Sequence, residues 1–562
     1  MKITLISNGH ELHEKLLKVR ISERIPTEYT EGGLVISLAI DGAVGAPESY
    51  RIDEKDGAFS VIGADTLGLF FGIGKLLHSA TWQADAMIPV PTEGVVTPHS
   101  PVRTLDFPIH FYNWYQNAPT EAVVRYLEDM LLWGYNGVHT GIPSVNAYTL
   151  DDDIVVRAAE KARNLFLLAK KYGMKVSTGG GSNQGMKSTP HEYDAEMSFN
   201  TQLRGDLGRN LCISKPGVLD YLRGLWREKI EKYFKDIEID YIMCWPYDEG
   251  GCGCKDCRPW GARKYGELCK AVRDEYRKYF PNVKVIVSTW GFDAPDDEGE
   301  YAGFYRRLRE DLDWVDYLLI DSHHGFPKYP LEHPVIKPII NFPEISMWGL
   351  YPWGGFGANP LPERFQRIWD ECKHVIFGGM PYSEGLYEDI TKVQFAGYYW
   401  FPDKHYSEIL SEYISYEYDR AVTEDVLTLM RLIEVNHTHI ANGEAPELAI
   451  SDRAAALAEA INSRLPERAK NAWRWRILYI RAILDKKRYD GFDQYLIDHA
   501  DEPRPIKHFE YYSDHVMLQD EDAQNMMREL QGYFCCSEYN GENHWTLPPV
   551  GGTRYEVDVR QK

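Results

Sequence analysis

Short apolar runs alternate with longer amphipathic stretches along most of this chain, and the alternation changes character twice. Up to about residue 98 the runs are strand-like and separated by turns. Ser49-Tyr50-Arg51-Ile52 and Ala58-Phe59-Ser60-Val61-Ile62-Gly63 read as two strands joined by a turn through Lys55-Asp56-Gly57. Asp65 then stands as N-cap to a helical run reaching Leu77. This predicts a small α/β domain over 1–98, with Pro91, Pro98 and Pro101 marking its exit.

From 99 to 402 eight strand candidates interleave with helical stretches. They are Arg103 to Tyr112, Asn136 to Gly141, Met174 to Thr178, Asp240 to Trp245, Val283 to Trp290, Val315 to Asp321, Pro338 to Phe342 and His374 to Phe377. Helices are expected near Glu121 to Trp133, Asp153 to Tyr172 and Pro216 to Phe234. Eight such units over this length predict an α/β fold built on a (β/α)8 TIM barrel. An open doubly wound sheet is the competitor, but no Gly-rich dinucleotide fingerprint follows an early strand. From 403 to 562 the pattern is helical and charged, with Pro466 to Tyr489 read as one long helix and an irregular tail from Cys535. A C-terminal all-α domain is expected there.

Composition narrows the partners. The formal net charge is -22, which argues against nucleic acid and against anionic membrane surfaces. No apolar run has the length of a membrane span. The N-terminus reads as a first strand and lacks the apolar core of a signal peptide. Nine cysteines, an odd count, fit reduced thiols and a cytoplasmic location. Aromatic residues make up 13%, including 37 Tyr and 15 Trp, which suits a site that packs ring faces against sugars.

Barrel enzymes place their reacting groups where strands end. The fourth strand runs into Trp245-Pro246-Tyr247-Asp248-Glu249-Gly250-Gly251. Two adjacent carboxylates repel, which helps hold one protonated, and a protonated carboxyl is what glycoside cleavage needs at the leaving oxygen. Glu344 follows the seventh strand and faces the pair across a barrel mouth; Trp348 lies four residues on. After the eighth strand, Glu384 is placed to accept hydrogen bonds from sugar hydroxyls, with Tyr382 as a packing face. Asp321 and His323 end the sixth strand, Trp290 the fifth; His139 lies in the second, and Arg103 opens the first. All are candidate substrate contacts. Each also has a plain alternative as a structural residue or a solvated turn.

Cys252, Cys254 and Cys257 crowd into one short loop. Thiolates so spaced can share a structural zinc ion, with Cys269 of the next helix as a fourth ligand. The alternative is three reduced thiols in a tight turn. Catalysis itself requires no cofactor on this reading.

These residues support a resemblance. The segment Ser49 to Leu77 resembles the small domain that precedes the barrel in β-hexosaminidases and α-glucuronidases. Arg103 is similar to the sugar-binding arginine of family-20 β-hexosaminidases, and Asp248–Glu249 to their catalytic pair after strand four. That resemblance implies Glu249 as general acid/base, Asp248 as the group that orients and polarises a 2-acetamido substituent, and Glu384 as a hydroxyl-binding acid. In this sequence, however, the glycines follow the pair, and the cysteine loop is foreign to that family. The added all-α domain looks more like α-glucuronidases and α-N-acetylglucosaminidases, which use carboxylates from two strands. The expected function is an exo-acting glycoside hydrolase on an oligosaccharide, resembling β-N-acetylhexosaminidases. The alternatives are an α-glucuronidase-like or α-N-acetylglucosaminidase-like enzyme using Glu249 and Glu344, or a non-catalytic carbohydrate-binding protein. Oligomeric state stays open, a homo-oligomer included.

Overall fold

The computed structural model describes residues 1–534 except 110–112, 143, 145–146, 197–208, 248–249, 294–298, 323–324, 334–335, 344, 346–357, 384 and 499–519. At the N-terminus a five-stranded sheet runs in the order Glu28–Tyr29, Lys2–Ile6, Leu34–Ile40, Ala58–Gly63, Tyr50–Lys55. Only the last pairing is antiparallel. Its turn has positive φ at both Asp56 (53°) and Gly57 (77°), the geometry that matches strand twist in a two-residue hairpin. Alternate residues Phe59 and Val61, and Ile36 and Leu38, face the core.

Helix Thr66–Ser79 begins where Asp65 Oδ1 accepts from Gly68 N at 2.8 Å. It is buried on nearly every side, as a helix apolar all round must be. One side meets the sheet and the other meets barrel helix Thr120–Leu132. Gly74 permits that second approach, since a Cβ there would lie 2.0 Å from the carbonyl oxygen of Leu132.

All eight expected barrel strands form, and the barrel closes. They are Val102–Asp106, Gly137–Thr140, Lys175–Gly181, Tyr241–Cys244, Lys284–Ser288, Tyr317–Asp321, Ile339–Phe342 and Ile376–Gly379, each parallel to its neighbours. Alternate side chains fill the interior, including Val102, Tyr241, Met243, Ile286, Tyr317, Leu319, Ile340 and Met380. Outward residues pack under the helices. On Asp153–Lys171, for example, Val155, Ala158, Ala162, Leu165 and Ala169 share the buried face.

The C-terminal region is helical, as expected, through Tyr406–Ile414, Thr423–Ala441, Leu448–Arg464, Trp473–Tyr489, Phe492–Asp498 and Glu521–Phe534. The expected single helix from Pro466 is in fact two. A short turn, Glu467–Lys470, ends at Asn471, and extended Ala472 caps Trp473–Tyr489. That longer helix is largely buried, with Arg474, Arg481 and Arg488 all inside. The irregular tail from Cys535 lies outside the described residues. Among the described residues no helix is long and apolar enough to cross a membrane.

Candidate active site

The carboxyl ends of the barrel strands define the candidate site. Successive inward positions differ by two residues, so the inner packing fixes what faces the mouth. Leu319 lies inside, and Asp321 therefore shares its face. Asp106 pairs in register with His139, which hydrogen-bonds Ser177 Oγ of the adjacent third strand at 2.8 Å. Burial lowers the His139 imidazole to about 3, so it stands neutral. Above these sits a row of aromatic rings. Trp290 stacks on Trp245 with centroids 5.7 Å apart, Trp245 meets Phe342 edge-on at 5.3 Å, and Phe342 lies 5.7 Å from Tyr382. The two tryptophans are half-buried.

The loop after the fourth strand is held at both ends. On the entering side, Tyr265 Oη donates to the carbonyl oxygen of Cys244 at 2.7 Å. Tyr247, fully buried, donates its hydroxyl to Glu300, whose carboxylate also accepts from Gly261 N at 2.8 Å. On the leaving side, Asn183 of the third-strand loop clasps Gly251. Its Oδ1 accepts from Gly251 N at 2.7 Å, and its Nδ2 donates to the carbonyl oxygens of Gly251 and Leu211 at 2.8 Å each. Asn210 Nδ2 donates to Gly250 O at 2.9 Å. Gly251 needs its freedom here, with φ at 102°. The loop that carries Asp248 and Glu249 is thus anchored immediately before and after them.

Directly beyond, four buried cysteines converge. The sulfurs of Cys212, Cys252, Cys254 and Cys257 all lie within 4.8 Å of one another. Cys212 is 3.7 Å from Cys254 and 3.9 Å from Cys257, and Ser214 Oγ approaches Cys257 at 3.2 Å. A hydrogen bond from Cys257 draws the Cys252 thiol down to about 5, while burial pushes Cys212 up to about 11.

The loop after the eighth strand has its own supports. Glu388 accepts from Ser383 Oγ at 3.1 Å. Lys392 donates to the carbonyl oxygen of Gly385 and to Tyr126 Oη, the latter at 2.9 Å. Both groups are fully buried. Burial raises the Glu388 carboxyl to about 7 and lowers Lys392 to about 8.

No family model matches this sequence, and no curated protein matches it. Solved structures do match in architecture. A GH115 4-O-methyl-α-glucuronidase with specificity for decorated arabinogalactans aligns at TM-score 0.60 and 12% identity, over 94% of this chain and 76% of its own. A GH138 enzyme targeting pectin rhamnogalacturonan II aligns at 0.55 and 12%, over 95% and 73%. The family 89 enzyme of Clostridium perfringens, in complex with its substrate GlcNAc-α-1,4-galactose, aligns at 0.62 and 11%, over 92% and 66%. In fold, the chain is similar to these glycoside hydrolases. It spans about two thirds of the length of the family 89 chain.

Against this frame the sequence candidates divide. Trp290, Asp321, His139 and Tyr382 meet at the barrel mouth or in the layer beneath it. Asp248, Glu249, Glu344, Trp348, His323 and Glu384 lie outside the described residues. Arg103 is not a sugar ligand. It opens its strand at the opposite, amino end of the barrel, where it is wholly buried and bonded to Glu48, Ser100 O and Gly134 O. Cys269 is not the fourth member of the cysteine group. It sits on helix Tyr265–Tyr276 with Cys244 and Tyr265 as neighbours. Cys212 takes that place from 40 positions upstream of Cys252. Sequence reasoning also missed Asp106, although counting by twos along the first strand finds it. Asn183 carried no sequence signal at all.

Proposed function

We propose that the protein is a glycoside hydrolase that removes a terminal sugar from an oligosaccharide. The observation that carries this reading is the aromatic row Trp290–Trp245–Phe342–Tyr382 at the barrel mouth, beside a loop anchored on both sides of Asp248–Glu249. Aromatic faces bind the C–H faces of pyranose rings, and hydroxyl-directed acids give orientation. Glu249 donates a proton to the leaving oxygen. A second carboxylate, Asp248 or Glu344, acts at the anomeric centre, either through a 2-acetamido group or directly. The fold neighbours lend support, since the three reported above are glycoside hydrolases.

The described inward residues at the mouth include Asp106, Asp321 and neutral His139. An N-acetylhexosamine is the first substrate to try, from the likeness of Asp248–Glu249 to the hexosaminidase pair. The test is Glu249→Gln, assayed on aryl N-acetylhexosaminides of graded leaving-group acidity. Hydrolysis of poor leaving groups should fall by about 10²–10⁴-fold, and that of good ones far less. An equal loss across the series would remove Glu249 from the proton-donor role. Sugar binding by the wild type with no turnover of any glycoside would make the protein a binding module.

A further inference from the structure

We propose that Cys212, Cys252, Cys254 and Cys257 hold one Zn²⁺ ion that ties the loops after the third and fourth barrel strands together. Four ligands at about 2.3 Å around a tetrahedral zinc place their sulfurs about 3.8 Å apart. The separations of 3.7 and 3.9 Å match that figure, and no pair in the group exceeds 4.8 Å. A disulfide needs its sulfurs at about 2.05 Å, so these are separate thiols. All four side chains are buried. Four cysteines fill the tetrahedron and leave no position for water, so the ion is structural and takes no part in bond cleavage.

The placement of the ligands gives the ion its task. Cys212 comes from the third-strand loop, and the other three come from the fourth. Asn183 and Asn210 bridge the same two loops by hydrogen bonds, and Gly253 N donates to Glu196 O at 2.6 Å. The metal therefore closes a clasp whose first residue stands three positions after Glu249. Ser214 Oγ, 3.2 Å from Cys257, is set to donate to a metal-bound thiolate.

The experiment is elemental analysis of the full chain, purified without added metal and dialysed against metal-free buffer. One zinc per chain is expected, released in step with titration of four thiols by a mercurial reagent. Cys269→Ser should keep its zinc, and Cys212→Ser should lose it. Substitution with cobalt should give the intense near-ultraviolet thiolate-to-metal absorption of a sulfur-rich tetrahedral site. Iron in place of zinc, four freely titrating thiols with no metal, or a Cys212–Cys254 disulfide found by mass spectrometry would each overturn the proposal. Metal content is read without any sugar, so its failure and the failure of the hydrolase reading are separate results.

Discussion

Arg103 shows how far a single residue's role depends on which end of a strand it occupies. Its Nε donates to Gly134 O at 2.7 Å, Nη1 to Ser100 O at 2.7 Å and Nη2 to Glu48 at 2.5 Å. The guanidinium also lies 4.9 Å from the Trp400 ring and 5.2 Å from Phe71. It joins the N-terminal domain to the barrel. Arg103→Ala strands the Glu48 carboxylate with only Asn136 as partner, and should cost about 3–5 kcal/mol in denaturant unfolding. Arg103→Lys should recover little, because an ammonium cannot reach three diverging acceptors in one plane. The Michaelis constant of the folded fraction should stay unchanged. A rise in that constant at wild-type stability would return Arg103 to the sugar site. The rule that finds chemistry at strand carboxyl ends already separates Arg103, which starts its strand, from Asp321, which finishes one. Cys212 is the opposite case. No spacing in the chain links it to the cysteine loop, and only folding brings the two together.

At the scale of elements, alternation made the barrel legible. Each strand is a short apolar run, and all eight formed, although the first ends at Asp106, six residues before the expected Tyr112, and residues 110–112 lie outside the described ones. What periodicity does not carry is how neighbouring loops hold one another. The third strand ends in three glycines, and just beyond them Asn183 holds the loop against Gly251. Asn183→Ala removes one acceptor and two donors from a buried junction, a loss of about 1–3 kcal/mol. The expected signature is a fall in kcat with little change in KM, together with faster amide exchange across residues 250–257. Asn183→Asp should do no better, since it discards both donors and buries a charge. Unchanged kcat in Asn183→Ala would mean that the loop's position is set elsewhere, with the cysteine group the first suspect. The division of Pro466 to Tyr489 has a similar lesson. Helical periodicity passes straight through Asn471 and Ala472, and the break is visible only in the extended backbone that caps Trp473.

At the scale of the whole molecule, a largely buried set of charges clamps the regions together. Asp129, on barrel helix Thr120–Leu132, forms an ion pair with Arg20 of the N-terminal domain at 2.9 Å through Oδ1 and accepts from Arg474 of the C-terminal helices at 3.0 Å through Oδ2. Arg474 also holds Asp389 at 2.8 Å, and Arg24 reaches Glu417 at 3.7 Å. Burial raises the Glu417 carboxyl, against the pull of both arginines. One carboxylate thus ties three regions of the chain together. Removing a partner from such a network costs more than the pair itself contributes, because the remaining charges stay desolvated. Asp129→Asn should therefore lower stability by about 3 kcal/mol, and the loss should persist at high salt, where buried pairs are screened little. The exposed pair Arg464–Asp425, outside this network, gives the control, since breaking it should cost about 1 kcal/mol or less. Calorimetry decides whether the clamp couples the regions. The wild type should unfold in one transition, and Asp129→Asn should broaden or divide it. Separate transitions already present in the wild type would mean that the network stabilises each region locally without linking them.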